Sequence, residues 1–251
     1  QFVGMDDNRP IHDVSFVSID LECTGPVPGF DHITEFGAAR FTLRRDGVIE
    51  PGPTFSQLVQ APRRIPSNVA SLTEIDDKMV ADAPSLADVW PDWLSYLNSD
   101  PNTVIIAHSA RVDLSFLVLS AVSLNAAWDP PTVLCTSRLA KKTLPDAGKY
   151  GLHALVDYLE CSGMDPVYHR ALPDALHARN VFARCVFGAG YGDLGALRYT
   201  KVSVPDLHEF DVEIPERLGW LAEAAEEGQA MPIVYRGGSK GRGARLITPL
   251  G

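Results

Sequence analysis

Cysteine is scarce and unpatterned. The four residues Cys23, Cys135, Cys161 and Cys185 form no Cys-x-x-Cys pair, so neither a zinc site nor a disulfide framework is expected and reduced thiols are the default. No apolar run approaches the roughly 20 residues that a membrane-spanning helix needs, and the N-terminus lacks a basic stretch followed by an apolar one. A soluble, cytoplasmic chain with no membrane partner is the expectation. Positive charge is also in deficit. Against 32 Asp and Glu stand 22 Lys and Arg, a net charge of −10, which excludes a protein that coats a polyanion by bulk electrostatics. No G-x-G-x-x-G follows a strand to open a helix, no Walker sequence occurs, and the Gly-x-Ser-x-Gly spacing at Gly237-Gly-Ser-Lys-Gly241 falls in a basic glycine-rich run and not at a strand-to-helix elbow.

What is present is a hydrophobic fraction of 45% over 251 residues, enough for one large domain or a medium domain with a small one. The organising stretch is Phe16-Val-Ser-Ile-Asp20-Leu-Glu22-Cys-Thr24-Gly25. In a strand, residues two apart share a face, so Asp20 and Glu22 project side by side. Burying them together without a proton or a cation would cost several kcal/mol. A hard divalent cation is one solution; a half-exposed edge strand with two solvated acids is the other.

Strands are predicted at Val14–Leu21, Ile33–Leu43 and Thr54–Val59, an antiparallel meander with Arg44-Arg-Asp-Gly47 as its hairpin signal. The period then changes. Pro66-Ser-Asn68 and Ala83-Pro-Ser85 read as helix starts, with Pro91 a kink in the second helix. A strand at Thr103–Ala107, a helix at Val112–Val122, a strand at Val133–Cys135 and helices at Ser137–Lys142, Leu152–Leu159 and Leu172–Phe187 complete an α/β alternation.

Two further acids sit at predicted helix starts. Asp113 falls in a first turn, where the helix dipole favours a carboxylate; an ordinary N-terminal acid explains it equally well. His169-Arg-Ala-Leu-Pro-Asp174 places a histidine just before a helix and an acid in its first turn, with Pro173 fixing the start between them. Both can face one cleft. The other histidines, taken singly, read as ordinary surface or core residues.

Asp20-Leu-Glu22, Ala-His108-Ser109-Ala-Arg-Val-Asp113-Leu-Ser-Phe-Leu and His169-Arg-Ala-Leu-Pro-Asp174-Ala resemble, in order and spacing, the three motifs of the DEDDh (DnaQ-like) 3′–5′ exonucleases. Leu134-Cys-Thr-Ser-Arg-Leu-Ala and Tyr150-Gly-Leu-His-Ala-Leu are similar to the family as well, and the likeness covers about Val14 to Phe187. The resemblance implies an RNase H-like mixed sheet with flanking helices and two Mg²⁺ or Mn²⁺ ions held by Asp20, Glu22, Asp113 and Asp174. His169 would be the general base, and Cys23, Thr24, Gly25, His108 and Ser109 would be the substrate-end contacts. It further implies 3′ ends of DNA or RNA, preferably single-stranded, as substrate, 5′-mononucleotides as product, and a polymerase or nuclease as possible partner. The second motif commonly carries Asn and Phe where this chain has Ser109 and Val112.

Gly188-Ala-Gly-Tyr-Gly-Asp-Leu-Gly195 breaks the helical pattern. The expected domains are an extension at 1–13, the exonuclease domain at 14–187, a linker at 188–212 and a small unit at 213–251. In that unit a helix over Pro215–Gly228 precedes strands at Ile233–Tyr235 and Leu246–Ile247, across a basic loop at Gly237–Gly243. It is similar to the opening of a WYL domain without the Trp-Tyr-Leu signature. The alternative reading is a binding or interaction module on an exonuclease fold, with this tail as its working part.

Overall fold

The computed structural model describes residues 8–161 and 168–205, and the backbone of 231–235 and 243–247. The expected helix over Pro215–Gly228 and the basic loop lie outside the described residues. The chain divides into two compact units, Gln1–Leu207 and His208–Gly251.

The first unit is built on a six-stranded mixed sheet. β1 (Phe16–Cys23), β2 (Ile33–Leu43) and β3 (Ile49–Leu58) form the antiparallel meander, β4 (Val104–Ala107) and β5 (Val133–Cys135) run parallel to β1, and β6 (Lys201–Val202) closes the far edge antiparallel. The order is β3-β2-β1-β4-β5-β6, which makes β1 central and buries both its faces. β3 starts earlier than Thr54, because Pro51 and Pro53 occupy an exposed edge strand, where a missing N–H costs no ladder bond. Residues 188–205, read from sequence as the start of a linker, contribute a 3₁₀ helix (Leu194–Thr200) and the edge strand β6.

The helices are α1 (Ser67–Thr73), α2 (Asp77–Val80), α3 (Leu86–Leu97), α4 (Arg111–Ser123), α5 (Thr136–Thr143), α6 (Leu152–Tyr158) and α7 (Ala171–Gly188). α3 starts as its sequence predicts, with Ser85 and Asp88 forming a reciprocal capping box, and it continues through Pro91 to Leu97. Alternation along β1 sorts the packing. Val17 and Ile19 join Trp93, Leu97, Leu114 and Leu117 of α3 and α4 on one face. Phe16 joins Phe41, Ile106, Leu155 and Phe182 on the other, where α6 and α7 lie. Phe16 lies 5.4 Å from Phe41 and 5.0 Å from Phe182 between ring centroids, and each fully buried aromatic contributes about 1.5–3 kcal/mol. Asp20 and Glu22, in step with Phe16, therefore emerge on the α7 side.

In the second unit, β7 (Met231–Tyr235) and β8 (Gly243–Ile247) pair antiparallel, as the two predicted tail strands require. Among the described residues no helix is long and apolar enough to cross a membrane.

Candidate active site

Beyond its last fully buried apolar residue, Ile19, β1 runs on into the half-buried Asp20-Leu-Glu22. Opposite them on β2 stand Gly37, in register with Asp20, and Glu35, in register with Glu22. Both positions decide where α7 goes. A Cβ at Gly37 would overlap the backbone of Ala171 and Leu172, so only glycine lets the first turn of α7 lie directly against the strand. Glu35, 2% exposed, accepts from Arg170 through Nε at 3.0 Å and Nη2 at 2.6 Å, and from the Ala171 backbone N–H at 3.0 Å. A residue far away in sequence thus supplies the N-terminal cap that α7 lacks locally.

This docking brings the acids together. Carboxylate oxygens of Asp20, Glu22 and Asp174 lie within 4.8 Å of one another. Asp113, 7% exposed in the first turn of α4, is close enough to act on Asp20. Burial, then the charges of Asp113, Glu22, Asp174 and Glu35, hold the Asp20 carboxyl well above the ordinary carboxylate range. Glu22 is pushed up to about 8 by burial and by Asp174 and Glu35, with Arg170 pulling the other way. Burial raises Asp113 to about 7 against backbone hydrogen bonds at Asp113 itself and Leu21. Acids placed so that they resist ionising together are matched to hard divalent cations, whose charge removes the repulsion.

His169 sits in the left-handed region at φ 59°, and its backbone N–H donates to Asp174 Oδ2 at 3.2 Å. His153 Nε2 lies 3.4 Å from Asp174 Oδ1, and its ring meets that of His169 edge to face at 4.6 Å. One ligand atom from each of His153, His169 and Asp174 falls within 4.8 Å of the others.

The remaining predicted residues border this cluster in sequence with different degrees of freedom. Cys23 is a half-buried free thiol at the end of β1, its ionisation suppressed by burial and then by the neighbouring acids. Thr24 is buried, its hydroxyl donating to Asp31 Oδ1 at 3.2 Å and accepting from the His32 N–H at 3.0 Å. A Cβ at Gly25 would run into the Asp31 carboxylate. His108 has both ring nitrogens engaged, Nδ1 with Thr136 Oγ1 and Nε2 with the Tyr150 carbonyl, each at 2.9 Å. With Nε2–H donating to that carbonyl, Nδ1 accepts the Thr136 hydroxyl; burial keeps this ring below the usual histidine range. Ser109, exposed at φ 60°, precedes α4.

Sequence reasoning passed over His153, Glu35, Arg170 and Gly37. Glu35 carried a signal, an acid alone in the apolar run Ile33-Thr-Glu-Phe-Gly-Ala-Ala39. His153 carried none, since its partner is distant in the chain.

The sheet order is that of an RNase H-like exonuclease fold, with the acid cluster at the end of its central strand. The chain belongs to the exonuclease family RNase_T, of DEDDh (DnaQ-like) type, whose model matches residues 17–182. That family depends on divalent metal. Over 169 residues the chain is 31% identical to a PolC-type DNA polymerase III of Caldanaerobacter subterraneus, covering 67% of this chain and 11% of the relative. It is 28% identical to the DNA polymerase III subunit epsilon of Aquifex aeolicus, covering 74% of this chain and 89% of the relative. The chain thus spans about a tenth of the PolC-type relative and most of the epsilon subunit. Solved structures share the fold: Exonuclease X in complex with 5′ overhanging duplex DNA (TM-score 0.55, 24% identity, 74% of this chain and 99% of that one). The nuclease domain of 3′hExo, a DEDDh family member bound to rAMP, does so too (TM-score 0.60, 16% identity, 70% and 92%).

Proposed function

We propose that the chain is a 3′–5′ exonuclease that removes 5′-mononucleotides from single-stranded 3′ ends of DNA or RNA by two-metal-ion hydrolysis. The observation that carries this reading is the convergence of Asp20, Glu22 and Asp174 within 4.8 Å, with Asp113 buried beside them. An all-oxygen donor set that resists ionisation when unpaired fits Mg²⁺ or Mn²⁺, and these four carboxylates would hold the ions. Ions held there would supply Lewis-acid chemistry, activating a bound water and offsetting charge on the leaving oxygen.

The chain's own residues do the rest. His169 takes the proton of the attacking water on its imidazole, the side-chain type most often used for proton transfer in catalysis. The Asp174 carboxylate, held by the His169 N–H, fixes the backbone from which that ring projects. Cys23, Thr24 and Gly25 at the end of β1 and Ser109 before α4 receive the terminal nucleotide. His108, with both ring nitrogens engaged, acts by holding the Tyr150 segment. The exonuclease domain of this reading includes β6, and the tail is an accessory unit of partial WYL character. The polymerase subunits among the relatives support DNA ends as substrate and a polymerase as partner.

The test is release of mononucleotides from 5′-labelled single-stranded DNA and RNA of matched sequence, with Mg²⁺, Mn²⁺ or EDTA. A ladder shortening from the 3′ end, lost with EDTA and in Asp20→Asn, is the expected result. Internal cuts, or an unchanged ladder in Asp20→Asn, would sink the proposal.

A further inference from the structure

We propose that His153, His169 and Asp174 form a second, distinct cation site, one that takes a borderline divalent ion of the Zn²⁺ type and whose occupancy switches the nuclease off. The donor spacing is compatible with a tetrahedral coordination sphere. Zn²⁺ binds imidazole nitrogen and carboxylate oxygen at about 2.0–2.1 Å in tetrahedral sites, which sets neighbouring donor atoms about 3.4 Å apart. The His153 Nε2 to Asp174 Oδ1 distance is 3.4 Å, long for a hydrogen bond and equal to such a tetrahedral edge. His169 supplies the third donor within 4.8 Å. The two imidazole rings meet edge to face, their planes at 72°, and are not stacked. Tyr168, with its ring centroid 4.2 Å from that of His153, packs against His153. Access is open on one side, since the His153 side chain is 33% exposed while Asp174 is at 9%.

Donor chemistry separates this site from the carboxylate pair next to it. Two nitrogens and one oxygen suit Zn²⁺ and its late-transition neighbours, whereas Mg²⁺ demands oxygen and octahedral geometry. The fourth tetrahedral position is left for water. The two sites share Asp174, and the nitrogen site also takes His169, so a cation there withdraws one carboxylate and the base from hydrolysis. The switching part rests on the exonuclease reading above; the binding part does not.

The experiment titrates the metal-stripped full chain with Co²⁺, a stand-in for Zn²⁺ whose visible absorption is intense in four-coordinate nitrogen and oxygen sites. Wild type is expected to develop the band, to lose it to Zn²⁺ and to keep it in excess Mg²⁺. The band should vanish in His153→Gln and in His169→Gln and survive in Asp20→Asn. Zinc-edge absorption spectroscopy of the wild type, which needs no variant to fold, should count two imidazole nitrogens. In the Mg²⁺-supported nuclease assay, Zn²⁺ at the concentration that saturates the band should stop wild type but not lower whatever rate His153→Gln retains. No band, one imidazole or none around zinc, or a band lost in Asp20→Asn and kept in both histidine variants overturns the site. Zinc bound by two imidazoles in an enzyme that still runs at full rate overturns the switch. The two-imidazole signature in a chain inert with Mg²⁺ supports the site and sinks the exonuclease reading instead.

Discussion

At the scale of single residues, the acids at the end of β1 work against the stability of the fold that presents them. Glu22 and Asp113 have folded-state values of about 8 and about 7, above those of an unfolded chain. Between roughly pH 4.5 and these values the folded, metal-free protein binds more protons than the unfolded one, so its stability falls as pH rises. The metal-free chain should therefore melt at a higher temperature at pH 5.5 than at pH 8. A difference of ~1 kcal/mol would give about 2–4 °C, and saturating Mg²⁺ or Mn²⁺ should flatten it. Asp20→Asn should raise the metal-free melting temperature at pH 8 while removing activity. A fall in that temperature would show that the acids are already compensated. His169→Gln is expected to lower kcat by about 10²–10⁴ with KM little changed, read from the rate of mononucleotide release at saturating oligomer.

At the scale of elements, the site depends on how α7 is fastened to β2. Arg170→Leu leaves Glu35 buried without its cation, and breaking a buried pair from one side costs about 3–5 kcal/mol. Glu35→Gln in the same chain removes the stranded charge but keeps an acceptor for the Ala171 N–H, so the double variant should regain much of the loss in denaturant midpoint. A double variant no more stable than Arg170→Leu would mean that the pair does not act as a unit.

This fastening also marks where the sequence stopped being legible. Local signals located α3, through the Ala83-Pro-Ser85 start, and the strand Ile33–Leu43; spacing placed Asp20 beside Glu22. None of these reports on which distant residue closes a helix. The cap on Ala171 comes from Glu35, the partner of Asp174 is His153, and the clearance at Gly37 is set by Ala171 and Leu172. Each is a contact between elements far apart in the chain, invisible to period or propensity. β3 and β6 were misjudged for a related reason. Pro51 and Gly52 look like a turn until the strand is known to be an edge, and β6 is two residues whose strand character comes only from pairing with β5.

At the scale of the whole molecule, every proposed site residue belongs to the unit that ends at Leu207, and the tail hairpin belongs to the other. Removing residues 208–251 should leave kcat on a short oligonucleotide within about threefold, since that unit carries none of the proposed site residues. A much larger loss of kcat would move the tail from accessory to essential. A rise in KM confined to long substrates would assign the tail a nucleic-acid contact in place of the solvated loop that its basic run reads as.

The docking of α7 also sets when the protein can act. Asp174 leaves the ribosome roughly 150 residues after Asp20 and Glu22, and the helix that carries it is seated by Arg170 and Gly37 only once β1 and β2 are paired. A chain that has been made past Asp113 but not Asp174 holds three of the four proposed ligands and no closed site. Under the proposed function, cleavage should therefore begin only after nearly all of the catalytic domain has emerged.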